Sequence, residues 1–92
     1  MARDPPFPSK TTRMTADAVH KLQEIFRAVF EVPGNEDVTK LRQMHTQRWD
    51  SLAHVSLVAA VESEFGVSLD AGDQLRMTSY QATAILLEEK GL

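Results

Sequence analysis

The chain has no cysteine, and only four glycines and four prolines among its 92 residues. Without cysteine there is no disulfide framework, no thiolate metal ligand and no protein thiol nucleophile, and the expected setting is a reducing, cytoplasmic one. Long hydrophobic runs are missing as well. The longest uncharged apolar stretch, Leu52 to Val61, is broken by His54 and Ser56, so no membrane span is expected. Near the start, Pro5, Pro6 and Pro8 stand where a secretory signal would need apolar residues, and none is expected. Length adds its own exclusion. A chain this short buries only roughly 60 to 65% of its unfolded surface, which supports one modest core and little enclosed space for a substrate. A self-contained enzyme is therefore not expected.

Basic residues are absent where acids gather. Arg3, Lys10 and Arg13 against Asp4 give residues 1–14 a charge of +2, which leaves −5 on the remainder of a chain whose formal charge is −3. From Trp49 to Leu75 the acids are Asp50, Glu62, Glu64, Asp70 and Asp73, with no Lys or Arg between them. Such a surface repels phosphate backbones and suits basic protein partners, so nucleic acid is not an expected ligand.

What is present is helical periodicity. Residues 1–14 are rich in Pro, Ser, Thr and Arg and read as a flexible tail. The domain occupies residues 15–92. Val19, Leu22, Ile25, Phe26, Val29 and Phe30 recur at helical spacing after Thr15, a good N-cap, and Pro33-Gly34 is expected to stop this helix. Residues 35–49 form a long loop, which a short helical turn through Val38, Leu41 and Met44 is expected to pin to the core. A second helix runs from Asp50 or Ser51 to Phe65 and ends at Gly66. A short one opens at Asp70 or Gly72 and reaches about Met77. Thr78 or Ser79 caps the last, with Tyr80, Ala84 and Leu87 on one face, Leu86 beside it, Ile85 semi-buried and Gly91 as the stop. The expected fold class is all-α, a small four-helix bundle with three main helices, one short helix and a long first loop.

The stretch with chemical content is Trp49-Asp50-Ser51-Leu52-Ala53-His54-Val55-Ser56-Leu57-Val58. At about 100° per residue, Leu57, Val58, Val61 and Phe65 share one arc, with Leu57 and Phe65 at its centre and His54 among them. Ser51 lies at the edge of that arc in the first helical turn, where unpaired N–H groups and the helix dipole favour a phosphate. Leu52, Val55 and Ala59 form a second apolar strip, continued by Glu62, which falls within about 20° of Ser51 on the wheel. The strip is the margin of a wide buried face, idle surface, or a contact strip for partners beside Ser51.

Asp50-Ser51-Leu52 at a helix start, after a long loop and before Leu57, Val58, Val61, Glu62 and Phe65, resembles the acyl carrier proteins. The resemblance covers roughly residues 15–90 and includes Met77-Thr78-Ser79-Tyr80-Gln81-Ala82, similar to the start of the family's last helix. It implies a carrier domain whose Ser51 receives 4′-phosphopantetheine from coenzyme A by the action of a separate Mg²⁺-dependent phosphopantetheinyl transferase. It also implies that the arm's thiol holds cargo as a thioester, passed between cargo-loading and cargo-processing enzymes. Asp50 would help the transferase place Mg²⁺, and Leu52, Val55, Ala59 and Glu62 would dock partner enzymes. Fatty-acid-synthesis carriers usually have acids at the positions of Ala53, Ser56 and Ser63 and small residues at Arg48 and Trp49. The Trp49-Asp50-Ser51-Leu52-x-His54 form looks more like discrete carriers of specialised bacterial pathways, which handle small acyl, hydroxyacyl or aminoacyl units. A monomer is expected.

Asp50, Ser51 and His54 also carry the side chains of a nucleophilic triad, but there is no G-x-S-x-G elbow, and residues three apart on one helix rarely face a common substrate. Asp50 reads better as an N-cap and His54 as a core-edge histidine. Trp49 is expected to pack the loop against the bundle rather than to touch an arm. His20 and His45 read as surface residues. Asp70 and Asp73 lack the pattern of a calcium loop, so no metal site is expected. The competing reading is a helical protein-interaction module of the same fold with no covalent cargo.

Overall fold

The computed structural model describes residues 14–92. The flexible tail expected over residues 1–14 lies outside the described residues except for Met14, which is buried against the core, so the packed domain already includes it. Four helices follow: α1 (Ala16–Val29), α2 (Ser51–Phe65), α3 (Ala71–Arg76) and α4 (Tyr80–Glu89). This is the expected small all-α bundle. Among the described residues the only strand-like pairing is one antiparallel bridge between Arg42 and Ser79, and no helix is long and apolar enough to cross a membrane.

Each helix starts on a side-chain cap. Thr15 accepts from the Ala18 N–H, Asp50 from Ala53, Asp70 from Asp73 and Ser79 from Ala82, which satisfies a first-turn donor that has no helical carbonyl of its own. On α1, Leu22, Ile25 and Phe26 are buried, with Phe30 just beyond. The helix stops earlier than the sequence suggests. Glu31 takes a left-handed φ of 55° and the Val32 N–H returns to the Arg27 carbonyl at 3.0 Å, a Schellman closure. Pro33 and Gly34 lie beyond it. Arg27 then holds the departing chain through the carbonyls of Pro33 and Glu36 at 2.9 and 3.1 Å.

Gly66 ends α2 at a φ of 65°. A Cβ there would meet nothing within 4 Å, so its cost is confined to the backbone. Gly66→Ala is expected to destabilise by about 1 kcal/mol, a left-handed residue being disfavoured with any Cβ. An unchanged urea midpoint would contradict this.

The long first loop is tied down in two ways. Two 3₁₀ turns, Val38–Lys40 and Gln43–His45, shorten it. The Gln43 N–H donates to the Thr78 carbonyl at 2.9 Å and the Tyr80 N–H to the Leu41 carbonyl at 3.0 Å, so the loop pairs with the α3–α4 junction. Val38 is buried and Leu41 half-buried as expected, but Met44 is almost fully exposed, because the second turn projects it away from the bundle. Trp49 closes the loop. It is buried against Phe26 and Phe30, with ring centroids 5.7 and 4.6 Å away, which is the packing role read from the sequence.

Two further expectations need correction. Ile85 is exposed rather than semi-buried, because the inward face of α4 is built from Tyr80, Thr83, Leu86 and Leu87. Thr83 can be buried because its hydroxyl donates to the Ser79 carbonyl at 2.8 Å. Phe65 is only half-buried. It occupies the last turn of α2, where the Lys21 ammonium stands 5.5 Å from its ring and covers part of it.

The α3–α4 contact is electrostatic at its rim. Lys90 pairs with Asp73 at 3.0 Å and Arg76 holds Glu89 through two bonds of 2.9 Å. Hydrogen bonding to Lys90, and then to the Asp70 N–H, keeps the Asp73 carboxyl below its usual range, and Arg76 does the same for Glu89. A depressed carboxylate stabilises the fold above its unfolded pKa and loses that contribution as pH falls through the folded value. Melting temperature is therefore expected to fall on acidification below about pH 4, and Asp73→Asn should flatten part of that fall. Equal slopes for the two proteins would remove Asp73 from the acid response.

Candidate functional site

Asp50 and Ser51 are positioned by the end of the loop. The Trp49 N–H donates to the Thr46 carbonyl at 3.0 Å and the buried indole fixes the chain direction. Asp50 then caps α2 by accepting from Ala53 at 2.9 Å, and its own carbonyl receives the His54 N–H at 2.9 Å. Ser51 is the first residue of the helix and its side chain is exposed. Because Asp50 provides the cap, the Ser51 hydroxyl stands at a helix N-terminus without being the cap. The first-turn N–H groups of Ser51 and Leu52 have no helical acceptor, and a phosphate attached there is favoured by about 0.3 to 1 kcal/mol.

Burial removes one reading of the second strip. Leu57, Val58 and Val61 point inward, with Ala53 and Ala60 packed beside them. Leu52 and Val55 are 75% and 64% exposed, and Ala59 is exposed too. The strip is therefore not the margin of a wide buried face.

Glu62 departs from the expected arrangement. It is half-buried, and its carboxylate accepts the Leu69 N–H at 2.8 Å, because the left-handed Gly66 folds the following chain back over the last turn of α2. Glu62 is thus a loop anchor, and a Glu62→Lys variant would perturb the fold as well as the charge. The acids are also less isolated than their sequence spacing suggests, since Lys90, the C-cap of α4, pairs with Asp73.

The structure adds residues that α2 alone could not reveal. A cleft of about 300 Å³ beside Ser51 is lined by Gln43 from the loop, His54 and Val55 from α2, and Gln74 and Leu75 from α3. Leu75 is 79% exposed, so Val55 and Leu75 present two open apolar side chains across the cleft from one another's helices. The sequence signal for Leu75 is a large apolar residue on a helix too short for its periodicity to assign a face. On the other flank, a second depression is lined by residues including Glu31, Arg48, Asp50, Leu52 and Ser56, with Arg48 and Glu31 ion-paired across it.

His54 forms the inner edge of the cleft. Its Nδ1 accepts from the Trp49 indole N–H at 3.0 Å, and its Nε2 lies 3.0 Å from the Gln74 carbonyl oxygen. An indole N–H only donates and a carbonyl only accepts, so the two contacts together assign the Nε2–H tautomer. His54 is fully engaged in this way and makes no triad with Asp50 and Ser51. His20 and His45 are exposed, and among the described residues no group of three or more His, Cys, Asp or Glu is placed to hold a metal ion. Comparison with protein-family models and with curated proteins gives no match.

Proposed function

We propose that the chain is an acyl carrier protein, armed on Ser51 with 4′-phosphopantetheine and serving separate biosynthetic enzymes, of the discrete type that works in specialised bacterial pathways. One observation carries the reading: an exposed serine at the first position of a 15-residue helix, capped independently by Asp50 and bordered by the exposed Leu52 and Val55. A nucleophile that a second protein must reach has to stand clear of the cap, and Ser51 does.

The residues present fit the group. The helix N-terminus supports the phosphodiester, and the cleft from Ser51 past Val55 and Leu75 offers the arm a shallow bed. Ser51 Oγ would attack the pyrophosphate of coenzyme A at the pantetheine-bearing phosphorus. The P–O bond to the nucleotide breaks, adenosine 3′,5′-bisphosphate leaves, and the hydroxyl proton passes to the transferase. Once bound, the arm supplies the thiol that the cysteine-free chain lacks, holding cargo as a thioester. The chain itself is a substrate of other enzymes rather than a catalyst. The partners are the phosphopantetheinyl transferase and the enzymes that load and process cargo.

Leu52, Val55 and Ala59, with Leu75 added, are the contact strip for those partners. Val55→Asp is expected to slow modification of Ser51 at least tenfold at low and high salt alike, since it places a charge in an apolar contact, while the melting curve hardly moves because the side chain is already exposed. An unchanged transferase rate would take Val55 out of the contact. The test of the function itself is intact mass after incubation with a broad-specificity transferase, Mg²⁺ and coenzyme A. Gain of one phosphopantetheinyl group supports the carrier, and no gain leaves the interaction-module reading.

A further inference from the structure

The cleft beside Ser51 is shallow because it is bolted from within. Its lining residues are exposed or half-buried, and none is among the fully buried core residues. Its volume of about 300 Å³ lies at the bottom of the roughly 300 to 1,000 Å³ typical of small-molecule sites. Beneath it, His54 reaches from α2 to the Gln74 carbonyl of α3 and is held from behind by the indole of Trp49. Trp49 is itself packed against both Phe26 and Phe30, and the Gln74 side chain donates to the Leu69 carbonyl at 2.9 Å. The seam between α2 and α3 next to Ser51 is thus crossed by one hydrogen bond, His54 to Gln74, the middle member of a chain of three anchored in the aromatic core.

We infer that His54 is a specificity-determining latch that keeps the bundle interior shut to cargo, so that the arm on Ser51 carries short acyl units in the open cleft between Val55 and Leu75. This rests on the carrier reading. From Ser51 the cleft leads between α2 and α3, so a long alkyl chain entering the bundle there passes His54 and Gln74. That path requires breaking the His54 contact with Gln74, which leaves the half-buried Nε2–H and the Gln74 carbonyl facing an alkyl chain instead of each other, and a polar group that loses its partner to an apolar one is penalised. A short acyl group needs no such passage. It lies across Val55 and Leu75, with any hydroxyl or amine it bears still in water.

The experiment loads the full chain with acetyl, butyryl, octanoyl and dodecanoyl groups from the corresponding coenzyme A thioesters, using a broad-specificity transferase and checking each product by intact mass. The readouts are the melting temperature and the rate at which hydroxylamine cleaves the thioester. Wild type is expected to give cleavage rates within about twofold across the series and a flat melting temperature, because no chain is sheltered. In His54→Leu, which cannot bond Gln74 or Trp49, the octanoyl and dodecanoyl forms should cleave several-fold more slowly than the acetyl form. The ¹⁵N signals of the His54 ring and the Trp49 indole should be the same in the holo and dodecanoyl wild-type proteins, a readout that stands even if His54→Leu does not fold. No mass gain at Ser51 overturns the carrier reading and this one together. Normal loading with several-fold protection of the dodecanoyl form in wild type, or with displaced His54 and Trp49 signals, overturns the latch alone. A folded His54→Leu that keeps the flat wild-type profile removes the role from His54.

Discussion

Ser51→Ala is expected to gain no mass with transferase, Mg²⁺ and coenzyme A under conditions that convert the unmutated chain completely. The loss should be all or none, because the substitution removes the attacking oxygen. It should also be clean. The cap of α2 belongs to Asp50, Ser51 is exposed, and alanine is the best helix former, so stability should change by no more than about 0.5 kcal/mol. Helical circular dichroism and the melting curve serve as the control. Two other serines on the same helix, Ser56 and Ser63, are also exposed. They sit further along α2, past the free first-turn N–H groups that favour a phosphate. Continued modification of Ser51→Ala would move the attachment point to one of these or elsewhere and would end the proposal as stated.

The helices were legible because their information is local. Thr15, Asp50, Asp70 and Ser79 are capping residues next to apolar stripes, and Gly66 and Gly91 take the positive φ that a stop of this kind requires. The misreadings arise where an unforeseen backbone turn redirects the chain or where a side-chain bond satisfies a group that polarity alone would place outside. Glu62 was placed by helix angle alone, whereas its partner Leu69 is brought over it by the turn at Gly66. Ile85 and Thr83 exchanged the burial their polarity suggests, because a threonine that bonds its own preceding turn carries little polar burden inward. The stop of α1 came from Glu31, a residue with no conspicuous preference for the left-handed region. The site divides in the same way. Asp50 and Ser51 are fixed by one helix start and can be read from it, while the cleft needs Gln43 and Leu75, delivered by the loop bridge to Ser79 and by the capping box of α3.

The orientation of α2 underlies every statement about the site, and two truncations test it. Leu57→Ala is expected to destabilise by about 2 to 5 kcal/mol, the range for emptying a fully buried leucine site. Against a total stability of roughly 5 to 15 kcal/mol for a domain, that can leave much of the protein unfolded at physiological temperature. The helix wheel places Phe65 with Leu57 at the centre of the same arc, which taken alone predicts the same cost. The structure lowers that expectation. Leu57 is completely buried, whereas Phe65 is half-exposed at the end of the helix, with the ammonium of Lys21, held by the Glu64 carbonyl at 3.3 Å, rather than packed carbon over part of its ring. A partly exposed ring has less apolar area to lose and its removal leaves an opening to water instead of a cavity, so Phe65→Ala should cost about 1 to 2 kcal/mol. Urea denaturation of the two variants beside wild type reads the difference directly. Equal losses would mean that Phe65 packs inward as far as Leu57. A Leu57→Ala protein that unfolds at the wild-type midpoint would mean that α2 is rotated, turning Leu52 and Val55 toward the core and removing the exposed strip beside Ser51.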